Sequence, residues 1–280
     1  SIYANVGALE NKGIELSLNT VNVQTNEFTW SSNLNISYNK NKVLDYYKVP
    51  ATTLYSKIYN GKYSEGYPAG ALWGLKWAGL RHEDGVPQVY NKDGDIIYKY
   101  TDLKADDAYY IGTMIPKCSG SFSNTFSYKG FDLTAMIIFN LGHKMYTYDT
   151  PTLRYRFNYN RDNEFDKRWR QPGDEAKTII PSSYEDANNK GRALYYSENI
   201  FAYSDVIVQS ASYAKLRELT LSYNLPKHVC EKLKMQNIKV RLTGHDIFKI
   251  VANDKGIDPE VGIKGKNYGT YYSIGLSVNF

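Results

Sequence analysis

The chain ends on the stretch Tyr271-Tyr-Ser-Ile-Gly-Leu-Ser-Val-Asn-Phe280, and this stretch decides the fold class. From Tyr272 onward every second residue is apolar, and the positions between carry only Ser, Gly and Asn. Alternate side chains of a β-strand lie on opposite faces, so the pattern predicts a strand with one apolar and one small polar face. It is typical of the last strand of an outer-membrane β-barrel, although an ordinary amphipathic edge strand would show the same alternation.

Composition excludes one class of membrane protein and favours another. No stretch of the 280 residues approaches the run of about 20 apolar residues that a membrane helix needs. A β-barrel is compatible with the mean hydropathy of −0.52, because alternating apolar and polar residues average to a mildly hydrophilic value. The 27 tyrosines suit the aromatic girdles of a barrel, and a carbohydrate-binding surface would give a similar count.

Charge, cysteines and the first residues narrow the class further. The net charge is +5 without a Lys/Arg run, so no nucleic-acid partner is expected. Cys118 and Cys230 lie far apart, which leaves a single disulfide open but gives no disulfide framework and no metal-binding spacing. The chain starts Ser-Ile-Tyr without a signal peptide, although a protein of the outer membrane must be exported. We therefore expect the chain to be the end of something longer.

The same two-residue period recurs along the chain. It is cleanest from Phe28, where aromatic and aliphatic residues alternate with a row of Ser, Thr and Asn that suits a watery lumen. Such strands are predicted at 14–19, 28–39, 121–128, 131–141, 219–225, 238–243 and 271–280. Two weaker candidates, 71–80 and 86–100, complete a prediction of eight or nine strands of an antiparallel transmembrane β-barrel. The fold class is therefore all-β.

The connections between these strands differ in length. The Lys129-Gly130 turn and the 226–236 connection are short, whereas 147–211 and 251–270 are long and polar. Outer-membrane barrels have short periplasmic turns and long extracellular loops. We therefore predict that 147–211 and 251–270 are extracellular and that Phe280 is periplasmic. A first hairpin turn near Thr25 on the periplasmic side then requires two strands between residues 68 and 100.

Two basic residues fall on an apolar row. Lys215 and Arg217 share the side of Tyr213 in strict alternation. Basic side chains can extend toward lipid headgroups while their stems stay among apolar groups. We expect Lys215 and Arg217 to do so.

Several segments, in the same order as in one known family, span nearly the whole chain. They are Asn11-Lys-Gly-Ile-Glu-Leu16, Phe28-Thr-Trp30 with Ser37-Tyr-Asn-Lys-Asn-Lys-Val43, Glu65-Gly-Tyr-Pro-Ala-Gly70, Tyr128-Lys-Gly-Phe-Asp-Leu133, Arg168-Trp-Arg-Gln-Pro-Gly-Asp174, Leu216-Arg-Glu-Leu-Thr-Leu-Ser-Tyr-Asn-Leu-Pro226, Gly244-His-Asp-Ile-Phe248 and Gly256-Ile-Asp-Pro-Glu260. In these segments the chain, 1–280, resembles the carboxy-terminal part of the barrel of SusC/RagA-type TonB-dependent outer-membrane transporters.

The resemblance implies a fold and a function. The family fold is a 22-stranded barrel with a plug, and the plug and the TonB-contacting segment belong to the family's amino-terminal part, which this sequence does not contain. The implied activity is uptake of glycan or peptide oligomers, driven through TonB, with a SusD-like surface lipoprotein as a lid and outer-membrane lipid around the barrel. The family often carries an acidic glycine-containing loop before the segment at Gly112. Residues 100–112 lack the glycines that a calcium loop needs, so no calcium is predicted there.

The sequence offers no catalytic or metal-binding pattern. The histidines are His82, His143, His228 and His245, and none has a partner at ligand spacing. The acidic pairs are Asp93 with Asp95 and Asp106 with Asp107, which lie in turn-like polar sequence where carboxylates are usually solvated. No catalytic residue, metal or cofactor is predicted, and the chain is not expected to be an enzyme.

One long polar segment carries candidate contacts with a substrate or a partner protein. Aromatic and guanidinium groups stack on sugar rings and pair with carboxylates. The candidates are Arg168, Trp169, Arg170, Tyr195, Tyr196 and Phe201. The alternative is that the segment only folds the long loop back on itself, with a turn at Pro172-Gly173.

Two other functions remain open at this point. A self-contained small barrel acting as an adhesin or surface scaffold would need an even strand count and its own export signal. An outer-membrane enzyme would need a catalytic constellation at the barrel rim. The importer is the leading hypothesis.

Overall fold

A computed structural model describes residues 7–46, 52–147, 163–183, 199–263, 265 and 269–280. The strands are β1 (Gly7–Gln24), β2 (Phe28–Tyr46), β3 (Ala71–Gly74), β4 (Lys76–Leu80), β5 (Pro87–Tyr90), β6 (Ile96–Ile97), β7 (Tyr109–Thr113), β8 (Cys118–Tyr128), β9 (Phe131–Leu141), β10 (Lys144–Tyr146), β11 (Val208–Ser210), β12 (Tyr213–Asn224), β13 (Asn237–Val251) and β14 (Tyr271–Asn279). The α-helices with both ends described are α1 (Leu54–Asn60) and α2 (Lys227–Lys232). Short 3-10 helices lie at Gly61–Tyr63, Tyr100–Asp102, Ala105–Asp107, Asn163–Lys167, Asp174–Ala176 and Asp205–Ile207.

The chain divides into two compact units, which we describe separately. The core unit comprises Ser1–Asn11, Asn41–Ile115 and Lys144–Ser210. The sheet unit comprises Lys12–Lys40, Pro116–His143 and Ala211–Phe280. None of the described helices is long and apolar enough to cross a membrane.

The sheet unit is built on one seven-stranded sheet with the order β1-β2-β8-β9-β12-β13-β14. From β2 to β14, neighbouring strands are antiparallel. Lys129 and Gly130 join β8 to β9 with φ angles of 46° and 86°, as a two-residue hairpin turn with a primed geometry requires. The Lys129 ammonium lies 3.1 Å from the Glu27 carboxylate, so the first hairpin turn lies at the same end of the sheet.

Two adjacent rows show the opposite chemistry of the two faces of the sheet. One cross-strand row contains only hydroxyls: Ser31, Thr125, Thr134, Thr220, Thr243 and Ser273. The adjacent row, on the opposite face, contains only large apolar residues: Trp30, Phe126, Leu133, Leu221, Leu242 and Ile274. We call these the polar face and the apolar face. On the apolar face Ile274 is 83% exposed and Leu276 is 68% exposed.

The predicted all-β antiparallel fold is confirmed, but two strand positions are wrong. Segments 71–80 and 86–100 do contain strands, yet these belong to small separate sheets: β3 pairs with β7, and β4 pairs with β5 and β6. Among the described residues the large sheet therefore has seven strands rather than eight or nine. In the large sheet β2 pairs directly with β8. Removing two strands from the predicted order does not reverse the direction of any other strand. The first hairpin turn therefore still lies at the predicted end of the sheet.

The core unit buries its apolar side chains. Helix α1 begins after Thr53, whose hydroxyl accepts a hydrogen bond from the Ser56 amide, while the Ser56 hydroxyl accepts one from the Thr53 amide. Leu54 and Ile58, four residues apart, share the buried side of the helix. They pack in a cluster that also contains Ala71, Trp73, Leu75, Val89, Leu103, Ala108, Ile200 and Tyr203. This cluster is an ordinary hydrophobic core.

Candidate functional site

Six charged side chains meet on the polar face of the sheet unit. They are Lys215 and Arg217 of β12, Asp246 and Lys249 of β13, and Asp258 and Glu260 of the segment that follows β13. We call this group the charge cluster. Its members carry three positive and three negative charges, so each ion has an opposite partner.

Lys215 lies at the centre of the charge cluster and is 4% exposed. Its ammonium lies 2.8 Å from the Asp258 carboxylate and 2.5 Å from that of Glu260. Arg217 bridges Asp246 at 2.7 Å and Glu260 at 2.5 Å. A buried charge is tolerated only when it is paired and hydrogen-bonded, and Lys215 meets that condition through two carboxylates.

Tyr213 adds a hydrogen bond to Glu260 and is itself held by Asn140. The Tyr213 hydroxyl donates to Glu260 Oε1 at 2.7 Å, and the Asn140 amide donates to the Tyr213 oxygen. Burial raises the pKa of Glu260, but the hydrogen bonds from Lys215, Tyr213 and Arg217 outweigh it and lower the pKa to about 2. Glu260 is therefore a carboxylate at any physiological pH.

A β-bulge explains why Lys215 faces this cluster, and it corrects the expectation that Lys215 and Arg217 reach lipid headgroups. Between Leu216 and Glu218 the register of β12 shifts against β9, so β12 has one extra residue there. One extra residue reverses the alternation, and Lys215 comes to lie opposite Ile138, which shares the polar face with Thr134. Strict alternation from Leu219 had placed Lys215 on the apolar face.

The segment after β13 is held in a defined conformation. The Asn253 side chain donates to the Ile257 carbonyl and accepts from the Ile257 amide, at 2.7 and 2.8 Å. The amide of Glu260 donates to Asp258 Oδ1 at 3.1 Å. These bonds present both carboxylates to β12, and a cavity of about 250 Å³ lies beside them, lined by Lys215, Asp246, Lys249, Asp258, Glu260 and Thr270 among others.

Two of the sequence-predicted contact residues are buried in the core unit. Trp169 is 3% exposed, packs against Gly85 where a Cβ atom would collide with the indole, and donates from Nε1 to Glu175 at 3.1 Å. Phe201 is 1% exposed and meets Trp77 edge to face at 5.7 Å. In this conformation neither ring has a surface that a ligand could stack on.

The other candidates differ in what surrounds them. Arg168 is half-buried and lies over the Phe165 ring at 4.1 Å, whereas Arg170 is exposed. Tyr195 and Tyr196 lie outside the described residues. A contact role therefore stays a prediction for Arg168, Arg170, Tyr195 and Tyr196, while the turn at Gly173 agrees with the alternative that the 163–183 segment folds back on itself.

An ion pair holds the 163–183 segment to His82. His82 Nδ1 lies 2.6 Å from Glu175 Oε1. This contact, the largest cause in each case, raises the pKa of His82 and helps to lower that of Glu175 to about 2. Within the described ranges, no group of three or more His, Cys, Asp and Glu side chains is close enough to hold a metal ion.

The sequence of the whole chain is similar to those of known receptors. TonB-dependent receptor P26 of Formosa agariphila is 31% identical over 281 residues, which cover 95% of this chain and 26% of the receptor. TonB-dependent receptor SusC of Bacteroides thetaiotaomicron is 26% identical over 301 residues, covering 99% of this chain and 27% of SusC. The chain belongs to the TonB-dependent receptors of the SusC/RagA type, as the sequence resemblance predicted.

Solved structures of the same family type share the fold. The RagAB peptide transporter matches with a TM-score of 0.76 at 22% identity, covering all of this chain and 30% of that chain. The RagAB importer in its 'closed-closed' state matches with a TM-score of 0.74. No protein-family model matches the chain. The chain spans 26–29% of the length of the curated receptors, which are transporters and receptors rather than enzymes.

The charge cluster was not predicted from the sequence. One signal was present: Asp258 and Glu260 stand in a family-like segment flanked by Gly256 and Gly262. A lysine inside a strand of period two was a second signal, because an ionisable residue in a membrane-spanning strand is usually functional. The bulge that turns Lys215 toward Asp258 and Glu260 leaves no recognisable pattern in the sequence of β12.

Proposed function

We propose that the chain forms the carboxy-terminal part of the barrel of a TonB-dependent nutrient importer of the SusC/RagA type, located in the outer membrane. The observation that carries the proposal is the apolar face of the sheet unit, where the row Leu133, Leu221, Leu242 and Ile274 is exposed from β9 to β14. Soluble proteins rarely expose apolar patches above a few hundred Å². Lipid is the solvent in which such a face is stable.

The polar face suits the wall of a passage. Its rows of Ser, Thr and Asn offer donors and acceptors without fixed charge, and several already bond to one another, such as Thr125 with Thr134 at 3.0 Å. In this proposal the turns at Thr25 and Lys129 lie in the periplasm with Phe280, and the connections 147–211 and 251–270 lie outside the cell. Long extracellular loops and short periplasmic turns are the rule in such barrels.

The proposed cargo is a glycan or peptide oligomer, and the proposed partners are a SusD-like surface lipoprotein and TonB. Support comes from the curated relative SusC and from the solved RagAB peptide importer. The TonB contact would be made by parts of the receptor outside this sequence. Arg170, which is exposed, and Arg168 are the proposed contacts of the 163–183 segment with substrate or lipoprotein.

Uptake by cells that carry the intact receptor tests the function. Cells with and without the receptor gene are given fluorescent glycan and peptide oligomers, with the proton gradient intact or collapsed. We expect intracellular signal for one oligomer class only when the receptor is present and the gradient is intact. Surface binding without uptake under both conditions would contradict an importer and favour the adhesin or scaffold.

A further inference from the structure

The charge cluster contains a buried cation that the fold alone does not require. Lys215 is 4% exposed on a strand that we place in the membrane, and its two partners come from a segment outside the sheet. Replacing a buried ion pair by apolar groups of similar size is often neutral or stabilising. An ionisable side chain inside a membrane-spanning strand therefore points to function by default.

The segment that supplies the carboxylates is bounded by two glycines. We call residues 256–262 the strap. Gly256 has a φ of 65° and Gly262 a φ of 70°, in the left-handed region that favours glycine, and a Cβ atom at either position would meet open space. Such residues absorb large changes in backbone angle, so the strap has a hinge position at each end.

Moving the strap away would change the net charge of this part of the polar face. Asp258 and Glu260 would leave with it, and Lys215, Arg217 and Lys249 would then face the single carboxylate of Asp246. Lys249 is already held loosely, 3.6 Å from Asp258 and with 34% of its side chain exposed. The cavity of about 250 Å³ beside these residues gives a ligand a point of entry.

We propose that Lys215, Arg217 and Lys249 form a recognition site for carboxylate groups of the transported oligomer, which Asp258 and Glu260 of the strap occupy when no substrate is bound. A carboxylate of the substrate replaces a carboxylate of the strap, so Lys215 keeps its ion pairs and its buried charge is never left alone. The exchange then costs the movement of the strap, together with the hydrogen bonds from Tyr213 to Glu260 and between Asn253 and Ile257. This inference rests on the proposed import function and narrows its substrate class to acidic oligomers.

Two kinds of oligomer carry such carboxylates, and direct binding separates them. The intact receptor in detergent is titrated calorimetrically with hexagalacturonate, with hexaglutamate and with uncharged maltohexaose. Binding of hexagalacturonate alone assigns the site to sugar acids, and binding of hexaglutamate alone assigns it to acidic peptides. Binding of both assigns it to carboxylates on either backbone, and binding of neither overturns the proposal.

Variants locate the binding in the charge cluster. Losing one charged hydrogen bond weakens binding roughly tenfold, so Lys215→Met and Lys249→Ala should each weaken it by about that factor. Glu260→Gln should tighten it, because the strap then competes less well. The matched control is Lys239→Met, since Lys239 pairs with Asp132 at 3.2 Å on the same face and is absent from the cluster.

The outcomes remain decisive even if one variant fails to fold. Lys215→Met leaves Asp258 and Glu260 without their shared lysine partner, and this variant receptor could fail to fold. In that case Lys249→Ala and Glu260→Gln test the proposal. Unchanged affinity in both, or an equal loss in Lys239→Met, overturns the proposal. A receptor that imports maltohexaose in an energy-dependent way but binds neither acidic oligomer would refute this site and leave the import function standing.

Discussion

The two units of this chain place their large apolar side chains in opposite ways. In the core unit Leu75, Val89 and Ile200 are 0% exposed. In the sheet unit Ile274 is 83% exposed and Leu276 is 68% exposed. Both units obey the same rule, that apolar surface avoids water. The difference between them is the solvent, because the core unit hides apolar groups inside itself and the sheet unit needs an apolar medium outside.

The largest effect is expected in the core unit. Leu75→Ala removes a side chain that is 0% exposed and leaves a cavity, so we expect a loss of about 2–5 kcal/mol. Hydrogen exchange of β3 peptides in the intact receptor measures it. Leu276→Ala, at a site 68% exposed and facing lipid, is the matched control and should cost less than Leu75→Ala, because lipid fills the space that the shorter side chain leaves. Equal losses at both sites would remove the contrast between the units.

Reversing the polarity of the apolar face should have the next largest effect. Arginine facing lipid costs about 2–4 kcal/mol at the middle of the membrane and less near its edges. Ile274→Arg should therefore destabilise the receptor by about 2 kcal/mol in urea unfolding from liposomes. Ser273→Arg, one residue away on the polar face, should change stability much less. A larger loss for Ser273→Arg would assign the faces the other way round.

A smaller effect is expected from the hydroxyl row of the polar face. Thr220 and Thr243 hydroxyls lie 3.0 Å apart and both residues are buried. Thr220→Val leaves the Thr243 hydroxyl without this partner and should cost about 1 kcal/mol. The double variant Thr220→Val/Thr243→Val should cost less than the sum of the two single variants, as measured in the same unfolding assay. Simple additivity would mean that the bond contributes nothing.

The smallest effect is expected from pH, which should change the stability of the core unit around the His82–Glu175 ion pair. The raised pKa of His82 stabilises the folded state fully below 6.5 and is lost as the pH rises through the raised value. The lowered pKa of Glu175 stabilises it above 4.5 and is lost as the pH falls toward about 2. After division by the intrinsic rate of an unfolded amide at each pH, the hydrogen-exchange rate around Trp169 should thus be slowest between pH 4.5 and 6.5. His82→Asn should remove the rise above that window, and a rise unchanged by it would contradict the assignment.

Sequence reasoning succeeded where one strand face was chemically uniform. Residues 28–39 of β2, all of β8 and residues 272–279 of β14 each carry one row of only small polar residues, β9 carries one row of only apolar residues, and the Lys129-Gly130 turn fixes the register of its hairpin. Because a one-residue slip would move every side chain to the other face, such strands allow a single reading. This is why the class, the face assignment and the end of the sheet that carries the turns were predictable.

Prediction failed where an interaction between distant residues decided the outcome. The register shift at Leu216 comes from pairing with β9 and reverses the face of Lys215. The strands β3 to β6 were placed in the large sheet, because a short apolar run does not indicate which partner it pairs with. Trp169 is buried against Gly85, 84 residues earlier in the sequence (169 − 85), which local sequence does not show.

The central claim is that the apolar face of the sheet unit lies against lipid, and accessibility along β14 tests it most directly. Single cysteines from Tyr272 to Val278 are introduced into the intact receptor with the free Cys118 and Cys230 replaced by serine, spin-labelled and placed in liposomes. Collision rates are then measured with oxygen, which concentrates in lipid, and with a water-soluble nickel complex. We predict high oxygen accessibility at the even-numbered positions and low accessibility at the odd-numbered ones. The absence of a two-residue period, or a higher nickel accessibility at Ile274 and Leu276, would contradict the account.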